Sequence, residues 1–219
     1  MKKLLLTTCF IVFTASVFAR PQRREVVKDT IVNAPVETML KTVELFYYQF
    51  QACPDSLFDW AYLNFDEPKE EQPEKPTKES RNAIQLSYKD RVYDPVYHTG
   101  DVAIDMYVLG VRWWKDQHLG TIYRLTRAQD GNYPLTAHMS ATYSGSVLEG
   151  GDVIFVLEPI DDTHTRVHYE FGLTFGKVLA VFVSDKIWQN AIEWRFVKIL
   201  ENLVEHAETG TVSVKPIKK

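Results

Sequence analysis

His164, His168 and Glu170 are the residues whose spacing first suggests chemistry. On a helix, two histidines four apart with a carboxylate beyond them could hold a cation. Their neighbours argue for a strand instead. Thr165, Val167, Tyr169, Phe171, Leu173 and Phe175 take every second position, which is the period of a strand. His164, Arg166, His168 and Glu170 then share the opposite face and are expected to form a hydrated, charged surface. His98, His118 and His138 are scattered, and no cysteine joins them at ligand spacing. The expectation is no metal site and no cofactor.

Arg112 and Arg124 interrupt apolar, strand-like stretches. A buried guanidinium needs a partner, so either could pair with Asp105 or anchor an acidic ligand head group. Surface exposure is the competing reading. Tyr169 and Phe171 on one strand, with Phe155 and Tyr143 on others, belong to apolar faces. Trp188, Ile192 and Phe196 recur at steps of four on a helical segment. Together these seven could wall a ligand site containing a few hydroxyls, or could simply fill a core. Trp113-Trp114 must point one ring to each side of a strand, which offers one of them to a protein partner. There is no Gly-x-Ser-x-Gly, no phosphate-binding loop, no His-Glu-x-x-His and no dinucleotide fingerprint. No catalytic residue is assigned.

These side chains need elements to position them. Glu25 to Asn33 reads as a first strand, preceded by a fraying basic leader, Arg20 to Arg24. Ala34-Pro35 ends it. Met39, Leu40, Val43, Phe46, Tyr47 and Phe50 then follow helical steps. A short helix is expected over 56–63. Period-two segments follow at 83–92, 102–114, 121–127, 135–148, 153–157 and 165–175. Turns are expected at Gly120, Asp130-Gly131-Asn132, Glu149-Gly150-Gly151-Asp152 and Asp161-Asp162. Short links of this kind predict an antiparallel sheet. Gly176 closes the last strand. Trp188, Ile192, Phe196, Ile199 and Leu203 then share one helix face, with Lys198, Glu201, Asn202 and Glu205 mainly on the other, and Gly210 as the stop. The order is α+β, with the C-terminal helix covering the apolar sheet face.

The chain has 219 residues, 45% of them hydrophobic and 25% charged, which is a globular composition. Its net charge of -4 carries no electrostatic signature for nucleic acid. Lys2 and Lys3, the apolar run from Leu4 to Phe18, and Val17-Phe18-Ala19 have the pattern of a signal peptide cleaved after Ala19. The run is shorter than the ~20 residues of a membrane span. A periplasmic or secreted location is expected. Removing 1–19 leaves Cys53 as the remaining cysteine, so an internal disulfide is not expected. Residues 66–80 hold three prolines, nine charges and no apolar side chain. They read as a charged loop within one domain spanning 20–210, followed by a loose tail over 211–219.

The segment from Glu149 to Pro159, Thr163 to Val167, Phe171 to Gly176, and the helix ending Ile199-Leu200-Glu201-Asn202-Leu203 resemble the START/polyketide-cyclase-like superfamily. Members of that family have the Bet v 1-like helix-grip fold. Ala34-Pro35-Val36-Glu37 after a first strand fits the family's start. The secretory signal and the insertion at 66–80 depart from its usual pattern. The resemblance implies a curved antiparallel sheet of about six to seven strands around the C-terminal helix. It also implies a cavity between them for a hydrophobic small molecule or lipid. The expected function is non-catalytic binding. The alternatives are a cyclase/dehydratase using a pocket acid–base residue, or a cell-envelope interaction module docking through Trp113, Trp114 or the 66–80 loop. For the binding reading, the ligand residues are Tyr143, Phe155, Tyr169, Phe171, Trp188, Ile192, Phe196, Arg112 and Arg124.

Overall fold

The computed structural model describes residues 21–52, 84–108, 111–129, 133–143, 148–181 and 184–211. The expectations for the signal peptide, Cys53, the helix at 56–63, the 66–80 loop and the tail beyond 211 lie outside the described residues. So do the side chains of Trp113, Trp114, Tyr143 and Ile192.

Strand β1 (Gln22–Val32) leads into helix α1 (Val36–Ala52), followed by β2 (Ile84–Asp94), β3 (Thr99–Val108), β4 (Val111–Arg127), β5 (Leu135–Tyr143), β6 (Leu148–Pro159) and β7 (Thr165–Phe175). Two short helices, α2 (Lys177–Ala180) and α3 (Asp185–Ile187), precede a π-helical turn (Trp188–Glu193) and the C-terminal helix α4 (Trp194–Thr209). The strands form one seven-stranded sheet in the order β1-β7-β6-β5-β4-β3-β2. Every neighbouring pair is antiparallel. The chain folds as an α+β helix-grip structure.

The helices cover one face. Helix α1 packs on β2, β3, β5 and β6, and α4 packs on α1 and β1. Val32, Met39, Val43, Phe46, Leu135, Phe155, Leu157, Val167 and Leu203 are fully or almost fully buried where these layers meet. The helix ends are tied down by polar contacts. Asn33 donates its backbone N–H and its side-chain amide to Glu208 Oε1, at 2.8 and 3.0 Å. Thr42 donates to the Thr38 carbonyl and lies 3.1 Å from His206 Nδ1. Gly210 ends α4 with φ 74 and donates to the His206 carbonyl, as expected of a left-handed cap.

Several expected boundaries are corrected. Arg20 to Arg24 is not all fraying leader, because Gln22, Arg23 and Arg24 pair with Phe175, Thr174 and Leu173. The stretch 102–114 is not one strand: β3 ends at Val108 and β4 begins at Val111. Gly120 lies inside β4, opposite Thr142 of β5 and Asp101 of β3. Gly150 and Gly151 likewise lie inside β6. A Cβ there would come within 2.8 Å of the Ala141 carbonyl and 2.9 Å of the Gly172 carbonyl, so both glycines serve close strand approach rather than a turn. Asn202 is fully buried rather than on the solvent side. Helix α4 packs against both α1 and β1, and that buries a wider stripe than one sheet contact would.

Candidate functional site on the covered face

The aromatic residues of the covered face form two groups. In the centre, Tyr47 of α1, Phe155 of β6 and Tyr169 of β7 are 0–1% exposed. The Tyr47 and Phe155 ring centroids are 6.1 Å apart, and those of Phe155 and Tyr169 are 4.9 Å apart. Phe46 meets Phe155 edge-on at 6.5 Å. These rings pack against one another, and their hydroxyls are committed to main chain. Tyr47 lies 3.0 Å from the Ala137 carbonyl and 2.7 Å from the Val153 carbonyl, and Tyr169 donates to the Phe196 carbonyl at 3.3 Å. Burial holds both phenols well above the ordinary tyrosine range, so they stay neutral.

Towards the start of the C-terminal helical region lies the second group. Phe171 stacks on Phe196 with centroids 3.6 Å apart and planes inclined by 17°. Trp188 meets Phe196 at 6.1 Å and Phe175 at 6.2 Å, the latter edge-on. Here the helical backbone is irregular: two short helices and a π turn replace regular α-helix. Such π turns are frequent at functional sites. Of this group, Trp188 stands on the π turn, while Phe171 and Phe175 stand on β7 and Phe196 on α4.

Polar groups border both groups. Arg24 takes the covered face of β1 by alternation with Val26, which is 3% exposed. Its Nη2 pairs with Asp185 Oδ1 at 2.5 Å. At the other side of the sheet, Tyr123 of β4 is half-buried. Its hydroxyl donates to Glu44 Oε1 at 3.4 Å, and its ring lies 5.0 Å from Tyr47 and 5.7 Å from the His98 ring. Burial, with Glu44 adding repulsion, pushes the Tyr123 phenol up. Gln51 at the end of α1 donates to the His98 carbonyl at 2.8 Å and holds that corner of the sheet.

Phe155, Tyr169, Phe171, Trp188 and Phe196 thus come together on the covered face. The backbones of Tyr143 and Ile192 lie in β5 and the π turn. Arg112 and Arg124 do not join the aromatic groups. Arg112 is half-exposed and pairs with the buried Asp105 at 3.4 Å, as one of its two expected roles required. Asp105 also accepts the backbone N–H of Asp116 at 2.8 Å, where Asp116 has φ 48. Arg124 is exposed, on the face opposite Thr121 and Tyr123, where it cannot reach a ligand held under the helices.

The histidine strand behaves as its period predicts. Thr165, Val167, Tyr169 and Phe171 are buried, and Arg166, His168 and Glu170 face outward; His164 lies just before the strand and contacts Asp161. His168 has both ring nitrogens on carboxylates: Nδ1 at 2.8 Å from Asp29 and Nε2 at 2.9 Å from Glu170. Those hydrogen bonds, Glu170 first and Asp29 second, raise its pKa and favour the imidazolium. His138 lies 3.1 Å from Asp152, which also takes Arg23 at 2.9 Å.

Sequence reasoning missed Arg24, Glu44 and Tyr123. For Arg24 the signal was present, since it shares parity with Val26. Tyr123 likewise alternates with Thr121 and Leu119 within β4. Glu44 had no comparable signal, because a carboxylate beside a helix's apolar stripe reads as solvated.

No family model matches the chain, and no curated protein matches it. Solved structures similar to it include an aromatase/cyclase from Streptomyces sp. R1128, at 10% identity over 85% of this chain and 94% of that one, with a TM-score of 0.45. Another is norcoclaurine synthase from Thalictrum flavum in complex with dopamine and hydroxybenzaldehyde, at 9% identity over 88% and 92%, with a TM-score of 0.42. A third is a START superfamily protein from Mycobacterium smegmatis, at 14% identity over 83% and 97%, with a TM-score of 0.39. At these scores the likeness is one of outline. A first strand and helix, six further strands in a single antiparallel sheet and a C-terminal helix on its covered face give this chain an α+β helix-grip fold.

Proposed function

We propose that this chain is an exported binding protein that holds a hydrophobic small molecule or lipid on the covered face, without catalysing a reaction on it. The observation that carries the reading is the aromatic wall where Phe171 and Phe175 of β7 meet Phe196 of α4 and Trp188, the first residue of the π turn. An apolar ligand gains about 25 cal/mol for each Å² of its apolar surface removed from water; the four wall residues are themselves only 4–8% exposed, so the ligand reaches them where the π turn opens. The centre of the face, at Tyr47, Phe155 and Tyr169, is filled by its own side chains and serves as the floor. Its two phenols are neutral and donate to carbonyls, which suits structure better than proton transfer. Export rests on the residues before Arg20: the two lysines, the short apolar run and the small residues at the expected cleavage site.

The test is native mass spectrometry of the protein purified from a bacterial periplasm, followed by organic extraction. A start at Arg20 and a stoichiometric apolar adduct that leaves on extraction are the expected results. A retained residue 1–19 segment would sink the export reading. A clean apo mass, with no thermal shift across lipid and aromatic compounds, would sink the binding reading.

A second reading has its own observation. Tyr123, Glu44 and His98 gather titratable groups at the half-buried edge beside Tyr47. They would serve the cyclase/dehydratase alternative, with Glu44 as the acid–base group. Turnover of a polyketide-like substrate that disappears in Glu44→Gln, with folding intact, would favour it over simple binding.

A further inference from the structure

We propose that Arg24 anchors the head group of the covered-face ligand, and that this ligand is a carboxylic acid with an apolar body. The inference rests on the binding reading above and narrows it to a chemical class. Arg24 sits on β1 opposite Leu173, and Phe171 and Phe175 lie two residues to either side on the neighbouring strand. Strand β1 also packs on the π turn that begins at Trp188. A cation is therefore built into the rim of the aromatic wall.

The guanidinium is half used. Its Nη2 meets Asp185, but its Nε is buried and has no hydrogen-bond partner among the described residues. A buried N–H without a partner is costly, and native structures avoid it. The Nε–H and the neighbouring Nη2–H project from the same edge of the guanidinium plane. That edge matches the two oxygens of one carboxylate. Asp185 pairs with it through Oδ1, and its side chain is 77% exposed on a three-residue helix. It is a counterion that an incoming carboxylate can displace or share. A phosphate dianion fits less well, because its second charge would lie beside Asp185. The apolar wall and the fork together specify a monoanionic head on a hydrophobic body.

The test uses paired probes on the purified protein at about pH 7.5, where carboxylic acids are ionised. Dodecanoic acid is compared with 1-dodecanol, and 2-naphthoic acid with 2-naphthylmethanol, by calorimetry and tryptophan fluorescence. In the wild type the acid of at least one pair should bind about tenfold tighter than its alcohol. Arg24→Gln should abolish that preference while leaving alcohol affinity within about twofold. Asp185→Asn should raise acid affinity about three- to tenfold, a gain that misfolding cannot mimic. Circular dichroism and melting check each variant. If Arg24→Gln fails to fold, Arg24→Lys replaces it. The lysine keeps the charge and loses the fork, so the preference should fall without vanishing. Equal wild-type binding of acid and alcohol would overturn the anchor and leave the binding reading standing. So would a preference unchanged in Arg24→Gln or Arg24→Lys. If no probe binds folded wild-type protein, the binding reading fails and the anchor with it.

Discussion

Two buried phenols separate structural from replaceable hydroxyls. Tyr47 lies within hydrogen-bond distance of two carbonyls on adjacent strands, at 2.7 and 3.0 Å, whereas Tyr169 makes one contact at 3.3 Å. A net intramolecular hydrogen bond contributes about 0.5–1.5 kcal/mol, and an orphaned buried partner costs about 1–3 kcal/mol. Tyr47→Phe is therefore expected to lose about 1–3 kcal/mol, and Tyr169→Phe no more than about 1 kcal/mol, by urea denaturation. The reverse order would mean that the Tyr47 contacts add nothing beyond packing. His168 gives a pH dependence of definite sign. Hydrogen bonds to Glu170 and Asp29 raise its pKa in the folded protein above the ordinary histidine range. The stabilisation it provides is fully present below the unfolded-state pKa and is lost as pH rises through the folded-state pKa. Comparing melting temperatures of wild type and His168→Gln, the wild-type advantage should be largest near about pH 6 and shrink by about pH 9. A gap that stays constant across that range would show that the imidazolium is not the stabilising form.

Among the elements, two glycines show how close approach sets helix position and charge placement. Gly100 of β3 lies under the end of α1, where a Cβ would sit 2.7 Å from Thr121 Oγ1 and 3.2 Å from the Gln51 carbonyl. The carbonyl is backbone and cannot swing aside. Gly100→Ala should cost about 1–3 kcal/mol, and adding Thr121→Ala should recover only part of that, since Gln51 remains. Full recovery in the double mutant would place the whole clash on the Thr121 side chain. At Gly172 a Cβ would meet the Arg23 guanidinium instead, which is the far end of a flexible side chain. Gly172→Ala is expected to stay within about 1 kcal/mol of wild type, with the Arg23 contact to Asp152 as the loss. These glycines also mark where the sequence is legible. Period-two alternation showed β7, β5 and the buried face of each, because those strands have one apolar and one polar side. The β3–β4 connection was missed because strand formers flank Gly110 on both sides, and Gly120 and Gly150-Gly151 imitate turns. A lone sequence cannot distinguish a glycine that turns the chain from one that admits a neighbouring backbone. Alternation and helical steps placed Phe155, Tyr169, Phe171, Trp188 and Phe196 on the covered face. Arg24 was lost to its place in a basic leader that reads as a tail.

Across the whole molecule, burial is uneven, and this predicts which parts open first. Leu135, Ala137, Phe155, Leu157, Val167 and Tyr169 on β5, β6 and β7 are all 0% exposed, as are Val43 and Phe46 on α1. The β2–β3 tip is the opposite case. Val92, Val96 and Tyr97 are 63%, 77% and 75% exposed there. That tip is held by polar contacts, with Asp94 accepting the N–H groups of Val96 and Tyr97 at 2.8 and 3.1 Å. Exposed polar contacts open locally, while amides beneath a dry core exchange only when the domain unfolds. In hydrogen exchange followed by mass spectrometry, amides of β5–β7 and central α1 should share one high opening free energy that falls with urea. The 92–98 tip should exchange earlier, with little dependence on urea. The π turn at 188–193 should open before α4, since the regular, cross-tied part of the C-terminal helix begins after it. A ligand that occupies the wall of Phe171, Phe175, Trp188 and Phe196 binds where that turn opens, so it should slow exchange at 188–193 selectively. Protection gained uniformly over the sheet would place the ligand elsewhere. A π turn that already exchanges as slowly as β6 would remove the structural reason for choosing this end of the face.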